Sequence, residues 1–180
     1  MHSEITYTRA SNDEELHQIL ELQKLNLLTY ISEKEKQKEG FVTVHHSFIV
    51  LQAMNNVCAH IIAKHYNQVI GYALSMTKEF REDVELLKPM FQQIDTLVKT
   101  NLNYIVMGQI CVDKNYRGQG VFRGLYNFMK ETLQNQFDSI ITLIDVKNMR
   151  STNAHKAVDF KLLKNFSQGD KSLDLVILEI

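Results

Sequence analysis

Apolar residues follow two different periods along the first half of the chain. The segments 5–9, 57–66 and 69–76 are short and rich in strand-forming residues, and a two-residue turn over 67–68 predicts that the last two form a hairpin. Between the first strand and this hairpin, apolar residues recur at helical spacing. This spacing predicts an amphipathic helix after the first strand and a short buried helix after Ser47.

In the second half of the chain, the spacing of apolar residues alternates between helical and strand periods, and the last segments are strands. The predicted elements are a helical segment over 80–100 that Pro89 breaks or kinks, a strand over 104–112, a helix over 121–134, a strand over 139–144, a short helix over 151–158 and a closing hairpin of 161–166 with 173–180. A strand, a helix and a strand in succession predict one parallel pair within an otherwise antiparallel sheet. We therefore expect a mixed α/β fold that forms a single domain over residues 1–180.

Composition and charge narrow the class of protein. The chain has 180 residues, of which 44% are hydrophobic and 23% charged, and it contains one proline, so it is predicted to fold as a globular domain. The formal net charge of −1 lacks the basic excess of a general nucleic-acid binder. The charged run 32–40 has no apolar face, and we expect a solvated loop there without chemistry.

The cysteines and the hydropathy pattern predict a soluble, cytoplasmic protein. Cys58 and Cys111 lie in apolar segments without the spacing of a metal site or a disulfide framework, so both are expected to be reduced core thiols. No segment reaches the roughly 18 apolar residues of a membrane span, and the first residues carry no secretory signal. We therefore expect no membrane partner.

Glycines cluster at one strand-to-helix junction. Three of the seven glycines, Gly118, Gly120 and Gly124, lie close together there, with Arg117 beside them. Glycines at such a junction let backbone N–H groups and a helix N-terminus approach an anion. An ordinary tight turn is the simpler alternative. A dinucleotide-binding loop fits less well, because residues 113–117 separate the strand from the first glycine, and a P-loop lacks its lysine here.

Two motifs in this half of the chain resemble the GNAT superfamily of acetyl-CoA-dependent N-acetyltransferases. The segment 110–121 resembles the family's strand and pyrophosphate loop, Arg/Gln-x-x-Gly-x-Gly/Ala. Asn148, Ser151, His155 and Phe160 have the spacing of the family's Asn-x-x-Ala-x-x-x-Tyr-x-x-x-Gly-Phe stretch. The two motifs lie within residues 105–160, about a third of the chain, and the N-terminal half matches only in its order of elements.

The resemblance implies a three-layer fold in which a splayed parallel strand pair receives acetyl-CoA as the cofactor. It implies cofactor-binding roles for Ile110, Cys111, Val112, Arg117, Gly118, Gln119, Gly120, Val121, Phe122, Asn148 and Ser151. Free backbone groups of Ile110 and Val112 would pair with the pantetheine amides, and the Val112 N–H would polarise the thioester carbonyl.

Three residues depart from the family pattern. Phe122 stands at a small-residue position, so we expect its ring to turn away from the pyrophosphate, and Gly124 comes two residues too late to replace it. Asp159 replaces a glycine at a helix end where a left-handed residue is often needed. His155 replaces the frequent tyrosine and is the expected catalytic acid, because an imidazole can donate a proton near neutral pH.

No residue stands out as the general base. Gln109 occupies a position where some relatives carry glutamate, and glutamine cannot accept the proton. Glu79, Asp145 and Tyr104, at strand ends, are the remaining candidates. Of the other histidines, His45 and His46 are expected to be solvated or capping, while His60 and His65 lack a consistent spacing, so no metal site is predicted.

The function implied by the resemblance is transfer of an acetyl group from acetyl-CoA to a primary amine of a small molecule or peptide, by direct attack in a ternary complex. A non-catalytic domain that binds acyl-CoA as a sensor or structural ligand is the alternative, and a nucleotide-binding domain is a third. The expected partner is the amine acceptor, and a homodimer is left open. Nothing in the sequence identifies the acceptor.

Overall fold

One mixed sheet of seven strands forms the middle layer of the protein. The computed structural model describes residues 5–27, 29, 41–97 and 101–180. The strands are β1 (Ile5–Arg9), β2 (Ile61–His65), β3 (Gln68–Met76), β4 (Tyr104–Val112), β5 (Ser139–Asp145), β6 (Lys161–Gln168) and β7 (Lys171–Glu179). Their order in the sheet is β1-β2-β3-β4-β5-β7-β6, so the final hairpin inserts its second arm next to β5.

Helices cover both faces of this sheet. They are α1 (Asp13–Leu25), α2 (Phe48–Val57), α3 (Lys88–Leu97), α4 (Val121–Leu133) and α5 (Met149–Lys156). The first three pack with one apolar cluster on one face, and α4 packs with a second cluster on the other. The apolar stripe of α4, at Val121, Leu125, Met129 and Leu133, recurs every fourth residue, which is why this helix buries one side against the sheet. The predicted three-layer fold is confirmed.

The parallel pair β4–β5 opens partway along its length. Its register joins Tyr104 to Ser139, Ile105 to Ile140 and Val106 to Ile141, and no further residues pair. An irregularity in the β3–β4 ladder between Ala73 and Ser75 lies beside this point. The C-terminal halves of β4 and β5 therefore border a slit through the sheet, which is the splay that the resemblance implied.

Pro89 begins a helix and does not kink one. The segment after β3 forms two 3₁₀ turns, Lys78–Glu82 and Glu85–Leu87, and α3 starts at Lys88 with Pro89 in its first turn. Proline is tolerated there because the first-turn N–H groups have no intrahelical partner. The expected end of this segment at 98–100 and the expected loop at 32–40 lie outside the described residues.

The β2–β3 turn is shifted by one residue from its prediction. His65 pairs with Gln68, so Tyr66 and Asn67 form the turn, and Tyr66 has a φ of 54°. Both Cys58 and Cys111 are buried and unbridged, as expected. Within the described ranges, no helix is both long and apolar enough to cross a membrane.

Candidate active site

The glycine loop between β4 and α4 is open on its concave side. Gly118 and Gly120 have φ values of 75° and 83°, and no heavy atom lies within 4 Å of the position that a Cβ would take at either residue. The left-handed backbone requires glycine there. Gly120 is the N-cap of α4, so the first amides of this helix point toward the open side. The loop has the form of an anion cradle that any side chain would fill.

A cavity of about 370 Å³ lies over this loop, and we call it the loop cavity. Among the residues that line it are Ile110, Cys111, Val112, Arg117, Gly118, Gly120, Val121, Phe122, Asn148 and Ser151. The structure thus gathers all but one of the predicted cofactor-binding residues around a single space. Gln119 is the exception, because its side chain is exposed and donates to the Asn115 carbonyl at 2.9 Å.

The end of β4 presents backbone groups to the loop cavity. The Asp113 N–H donates to the Ile70 carbonyl at 2.8 Å, so Asp113 belongs to a hydrogen-bonded position of the ladder with β3. Bonded and non-bonded positions alternate in an antiparallel pair, which turns the backbone groups of Val112 and Ile110 away from β3. They face the slit, where pairing with β5 has already ended.

Arg117 ties the loop to two other elements. Its Nε donates to the Val112 carbonyl at 3.0 Å and its Nη2 donates to Asn26 Oδ1 at 2.6 Å. The Val112 carbonyl therefore already accepts one hydrogen bond from within the chain. Arg123 and Arg150 also line the loop cavity, so three guanidinium groups make it suitable for a polyanion.

Two of the three departures from the family pattern, Phe122 and Asp159, are accommodated. The Phe122 ring packs edge-on against Tyr126 and His155, with centroids 5.2 and 5.1 Å apart, which turns it toward α5. Gly124 serves packing instead of the loop, since a Cβ there would meet the Tyr7 ring at 2.1 Å. Asp159 adopts the left-handed conformation, with a φ of 70°, that a glycine would supply.

A second cavity of about 230 Å³ continues the loop cavity through the slit, and we call it the inner cavity. The two share part of their lining, namely Phe41, Val42, Ile110, Asn148 and Ser151. The rest of the inner wall is mainly apolar and includes Val44, Leu87, Met90, Met107, Leu143 and Leu173, with the polar residues Asp145, Gln168, Asp170 and Lys171 from the end of β5 and the β6–β7 hairpin. Apart from Asp145, sequence reasoning missed this wall, because no local motif marks its members.

A buried polar network supports one side of the inner cavity. Gln109 Oε1 accepts from Gln23 Nε2 at 2.7 Å and from the Tyr72 hydroxyl at 2.6 Å, while Gln109 Nε2 donates to the Val44 carbonyl at 2.9 Å. Gln23 also bonds the side chain and backbone of His46. The amide of Gln109 thus joins β4, α1 and the segment before α2, which gives it a structural function at the position of the missing base.

The expectation that His46 is solvated is wrong, although His45 is exposed as predicted. His46 has 3% of its surface exposed, and burial lowers its pKa to about 4. The reason is tertiary: Gln23 on α1 bonds both His46 Nδ1 and the His46 N–H, while the buried Nε2 has no partner in the described part of the chain. His60 is likewise buried, with its Nδ1 accepting from the Ser75 N–H and its Nε2 bonded to the Leu51 carbonyl, both at 3.1 Å.

His155 lines the inner cavity on the α5 side, yet the chain engages both of its nitrogens. Its Nδ1 lies 2.8 Å from the Ser151 carbonyl and must carry the proton, while its Nε2 accepts from the Tyr126 hydroxyl at 2.8 Å. Burial lowers the pKa of His155 to about 4, so the imidazole is neutral. Its role as the acid stays a prediction.

Of the three candidate bases, only Asp145 lines the inner cavity. Asp145 Oδ1 accepts from the Lys147 N–H at 2.9 Å, and no ion pair joins this carboxylate to a cation in the described part of the chain. Glu79 accepts from the Thr77 hydroxyl on the surface, and Tyr104 is buried beneath Lys78. No group of three or more metal-ligating side chains occurs among the described residues.

The fold and the two joined cavities define a mixed α/β domain with a site that suits a large anionic ligand. The sequence profile of the acetyltransferase (GNAT) family matches residues 16–160, and the chain belongs to this family. A search of curated protein sequences finds no match.

Solved structures share the fold at low sequence identity. Drosophila melanogaster polyamine N acetyltransferase, which catalyses the formation of N acetylagmatine, has a TM-score of 0.73 and 10% identity over 98% of this chain and 100% of its own. The NatC complex bound to Gag peptide and CoA gives 0.68 and 17%, over 98% and 99%. Arabidopsis thaliana Naa50 with the bisubstrate analogue CoA-Ac-MVNAL gives 0.64 and 11%, over the same shares. These likenesses show the fold alone.

Proposed function

We propose that the protein transfers the acetyl group of acetyl-CoA to a primary amine of a small molecule or peptide. One observation carries this proposal: the inner cavity and the loop cavity meet at Ile110, Asn148 and Ser151, in the slit between β4 and β5. A thioester that reaches the slit from one side can meet an amine that reaches it from the other. A domain that only binds acyl-CoA has no need of the second cavity.

The loop cavity supplies the features that acetyl-CoA requires. The positive φ angles of Gly118 and Gly120 expose backbone N–H groups to a pyrophosphate, and the nearby arginines add charge. The outward-facing backbone of Ile110 and Val112 suits the pantetheine amides, and the Val112 N–H suits the thioester oxygen. Acetyl-CoA supplies the activated acetyl group, and these residues hold it against the slit.

The chain favours direct attack over an acyl-enzyme route. Cys111 is the cysteine that lines the loop cavity, and its burial raises the pKa of its thiol to about 12. A thiol with such a pKa does not ionise near neutral pH, and the thiolate is the nucleophilic form. This disfavours an acyl-cysteine intermediate and supports direct attack of the amine on the thioester carbon.

The inner cavity contributes to the loss of the amine's proton. Its apolar walls disfavour a charged ammonium group, and this desolvation lowers the pKa of an amine that enters. Water, or Asp145 in the lining of the inner cavity, can then take the proton, so a dedicated base is not required. The volume of about 230 Å³ suits a compact amine better than an extended peptide.

The test is acetyl-CoA-dependent CoA release with a panel of small amines and amine-terminated peptides, with the products identified by mass spectrometry. We expect release to require an amine and to rise with pH as more of the amine becomes neutral. Tight acetyl-CoA binding without turnover on any amine would contradict the proposal and favour the acyl-CoA-binding alternative. A preference for NAD over acetyl-CoA would contradict both.

A further inference from the structure

Ser151 occupies the place where the two cavities meet. It lies in the first turn of α5, lines both the loop cavity and the inner cavity, and is half-buried. Its N–H donates to Asn148 Oδ1 at 3.1 Å, so the N-cap of α5 fixes its backbone. A side chain held at this junction is next to both reaction partners.

The imidazole of His155, one helical turn later, is immobilised. Only 2% of its surface is exposed, and the Phe122 and Phe160 rings pack against it edge-on, each at 5.1 Å between centroids. Its Nδ1–H donates to the Ser151 carbonyl and its Nε2 accepts from the Tyr126 hydroxyl. To protonate a ligand directly, the ring would have to break the bond to Ser151 and leave this packing.

The same Nδ1–H also points at the hydroxyl of Ser151. Ser151 Oγ lies 3.2 Å from His155 Nδ1, and because that nitrogen carries a proton, the oxygen is the acceptor. The Ser151 hydroxyl keeps its own hydrogen as a donor, and no acceptor for it occurs within the described ranges. The fixed Nδ1–H of His155 therefore holds the Ser151 oxygen from one side and orients the Ser151 O–H group at the junction of the two cavities.

Ser151, like His155, differs from the family pattern. The pattern has alanine and tyrosine at the positions that Ser151 and His155 occupy, four residues apart on one helix face. The two replacements contact each other. Compared with the pattern, this chain has an additional hydroxyl at Ser151 and lacks the phenol at His155.

We infer that the Ser151 hydroxyl donates a hydrogen bond to the sulfur of acetyl-CoA as the C–S bond breaks, and that His155 is the positioning residue that orients this hydroxyl. The inference rests on the proposed function.

The step balances without proton transfer from serine. The amine nitrogen forms a bond to the thioester carbon, the C–S bond breaks, and its electron pair goes to sulfur. The nitrogen loses its surplus proton to water, and the CoA thiolate, whose pKa is near that of an ordinary thiol at about 8.5, is protonated from water. Ser151 stabilises the developing negative charge with a hydrogen bond and keeps its proton.

Four variants test the inference by the rate constant at saturating acetyl-CoA and amine, with the dissociation constant of acetyl-CoA measured in parallel. Ser151→Ala is expected to lower the rate constant by about 10- to 100-fold, the range for losing a hydrogen bond to a charged group. Its acetyl-CoA affinity should stay within about 2-fold, because the bond forms as sulfur gains charge. Ser151→Thr keeps the hydroxyl and should restore most of the rate.

His155→Phe separates orientation from direct proton donation. It should slow the parent protein but add nothing in the Ser151→Ala background, since a positioning residue has no effect once the group it orients is absent. Asn153→Ala, at an exposed position on the same helix, should leave the rate unchanged.

The outcomes distinguish this inference from the proposed function. Parent-like turnover of Ser151→Ala, or an equal loss from His155→Phe in both backgrounds, would overturn the inference while acetyl transfer stands. The second result would favour direct donation by His155. Slow hydrolysis of acetyl-CoA is a second readout, because the sulfur leaves in the same way. A parent protein that does not cleave the thioester at all, neither by transfer to an amine nor by hydrolysis, would overturn both proposals.

Discussion

The two cavities of the site are built in different ways. The loop cavity centres on one continuous segment, from Ile110 to Phe122, where Gly118 and Gly120 leave the backbone open, and α5 with its N-cap completes the wall. The inner cavity is assembled from the segment before α2, the start of α3, the strands β4 and β5, and the tip of the β6–β7 hairpin. The shape and polarity of the inner cavity come from side chains that are distant in the sequence and meet only in the folded chain.

This difference separates the binding of the cofactor from selectivity for the acceptor in physical terms. A pyrophosphate can be held by N–H groups that every residue has, so the loop needs only glycines that leave space. An acceptor must be distinguished by shape and charge, which requires side chains from several elements. Substitutions in the loop cavity should therefore affect acetyl-CoA, and those in the inner cavity should affect the amine and the stability of the fold.

The largest expected effect concerns acid stability. Burial lowers the pKa of His46, His60 and His155 to about 4, well below the value of about 6.5 expected in the unfolded chain. The unfolded state therefore binds more protons, and stability that is fully present above pH 6.5 is lost as the pH falls toward 4. The slope of the free energy of unfolding against pH reaches about 4 kcal/mol per pH unit if all three histidines contribute.

Urea unfolding at a series of pH values measures this slope. Removing one buried imidazole, as in His46→Gln, should make the slope shallower by about a third, whatever it does to the absolute free energy of unfolding. A slope unchanged by this variant would show that His46 titrates normally in the folded protein.

The next effect tests the loop cavity. Gly120→Val places a side chain in the open cradle, and we expect acetyl-CoA affinity to fall about 100-fold through the loss of charge-assisted N–H contacts. Gly169→Val is the matched control, because Gly169 also has a positive φ, of 61°, and equal free space around its Cβ position. Both should lose similar stability from backbone strain, and calorimetry should find weakened binding only for Gly120→Val.

A smaller effect tests the network behind the inner cavity. Gln109→Glu places a carboxylate at the position of the missing base, but it replaces the N–H donor to the Val44 carbonyl with an oxygen. Two acceptors would then face each other in a buried site, so we expect a loss of about 2 kcal/mol in stability and no gain in turnover. A faster enzyme would show that this position needs only a carboxylate.

The smallest effect concerns Asp145, one of the polar residues that line the inner cavity. Asp145→Asn removes a carboxylate that attracts a cationic amine, and kcat/KM for the amine should fall about 10-fold while acetyl-CoA affinity stays unchanged. Asp170→Asn, at the exposed hairpin tip, should have a weaker effect. Equal effects of both substitutions on acetyl-CoA binding would remove the distinction between the cavities.

Features that depend on local sequence signals could be predicted, whereas features that depend on contacts between distant elements could not. The order of strands and helices and the glycine loop could be predicted, because periodicity and Gly118 and Gly120 are local signals. The burial of His46 could not, since its partner Gln23 lies on another element. Likewise, the sequence suggested His155 as a proton donor, but the bonds from its two nitrogens depend on Tyr126 and on the helical turn that brings Ser151 beside it.

The strand order has a consequence for synthesis of the protein. β5, which forms one wall of the slit, pairs on its outer side with β7 and not with β6, although β6 leaves the ribosome first. β6 is mostly exposed, with Lys161, Leu162 and Asn165 facing solvent, whereas β7 buries Leu173, Leu175, Val176 and Leu178. This contrast disfavours early capture of β6 by β5. The nascent chain therefore keeps an open sheet edge at its future active site until β7 is made, and a ribosome that stalls earlier would leave that edge exposed to aggregation.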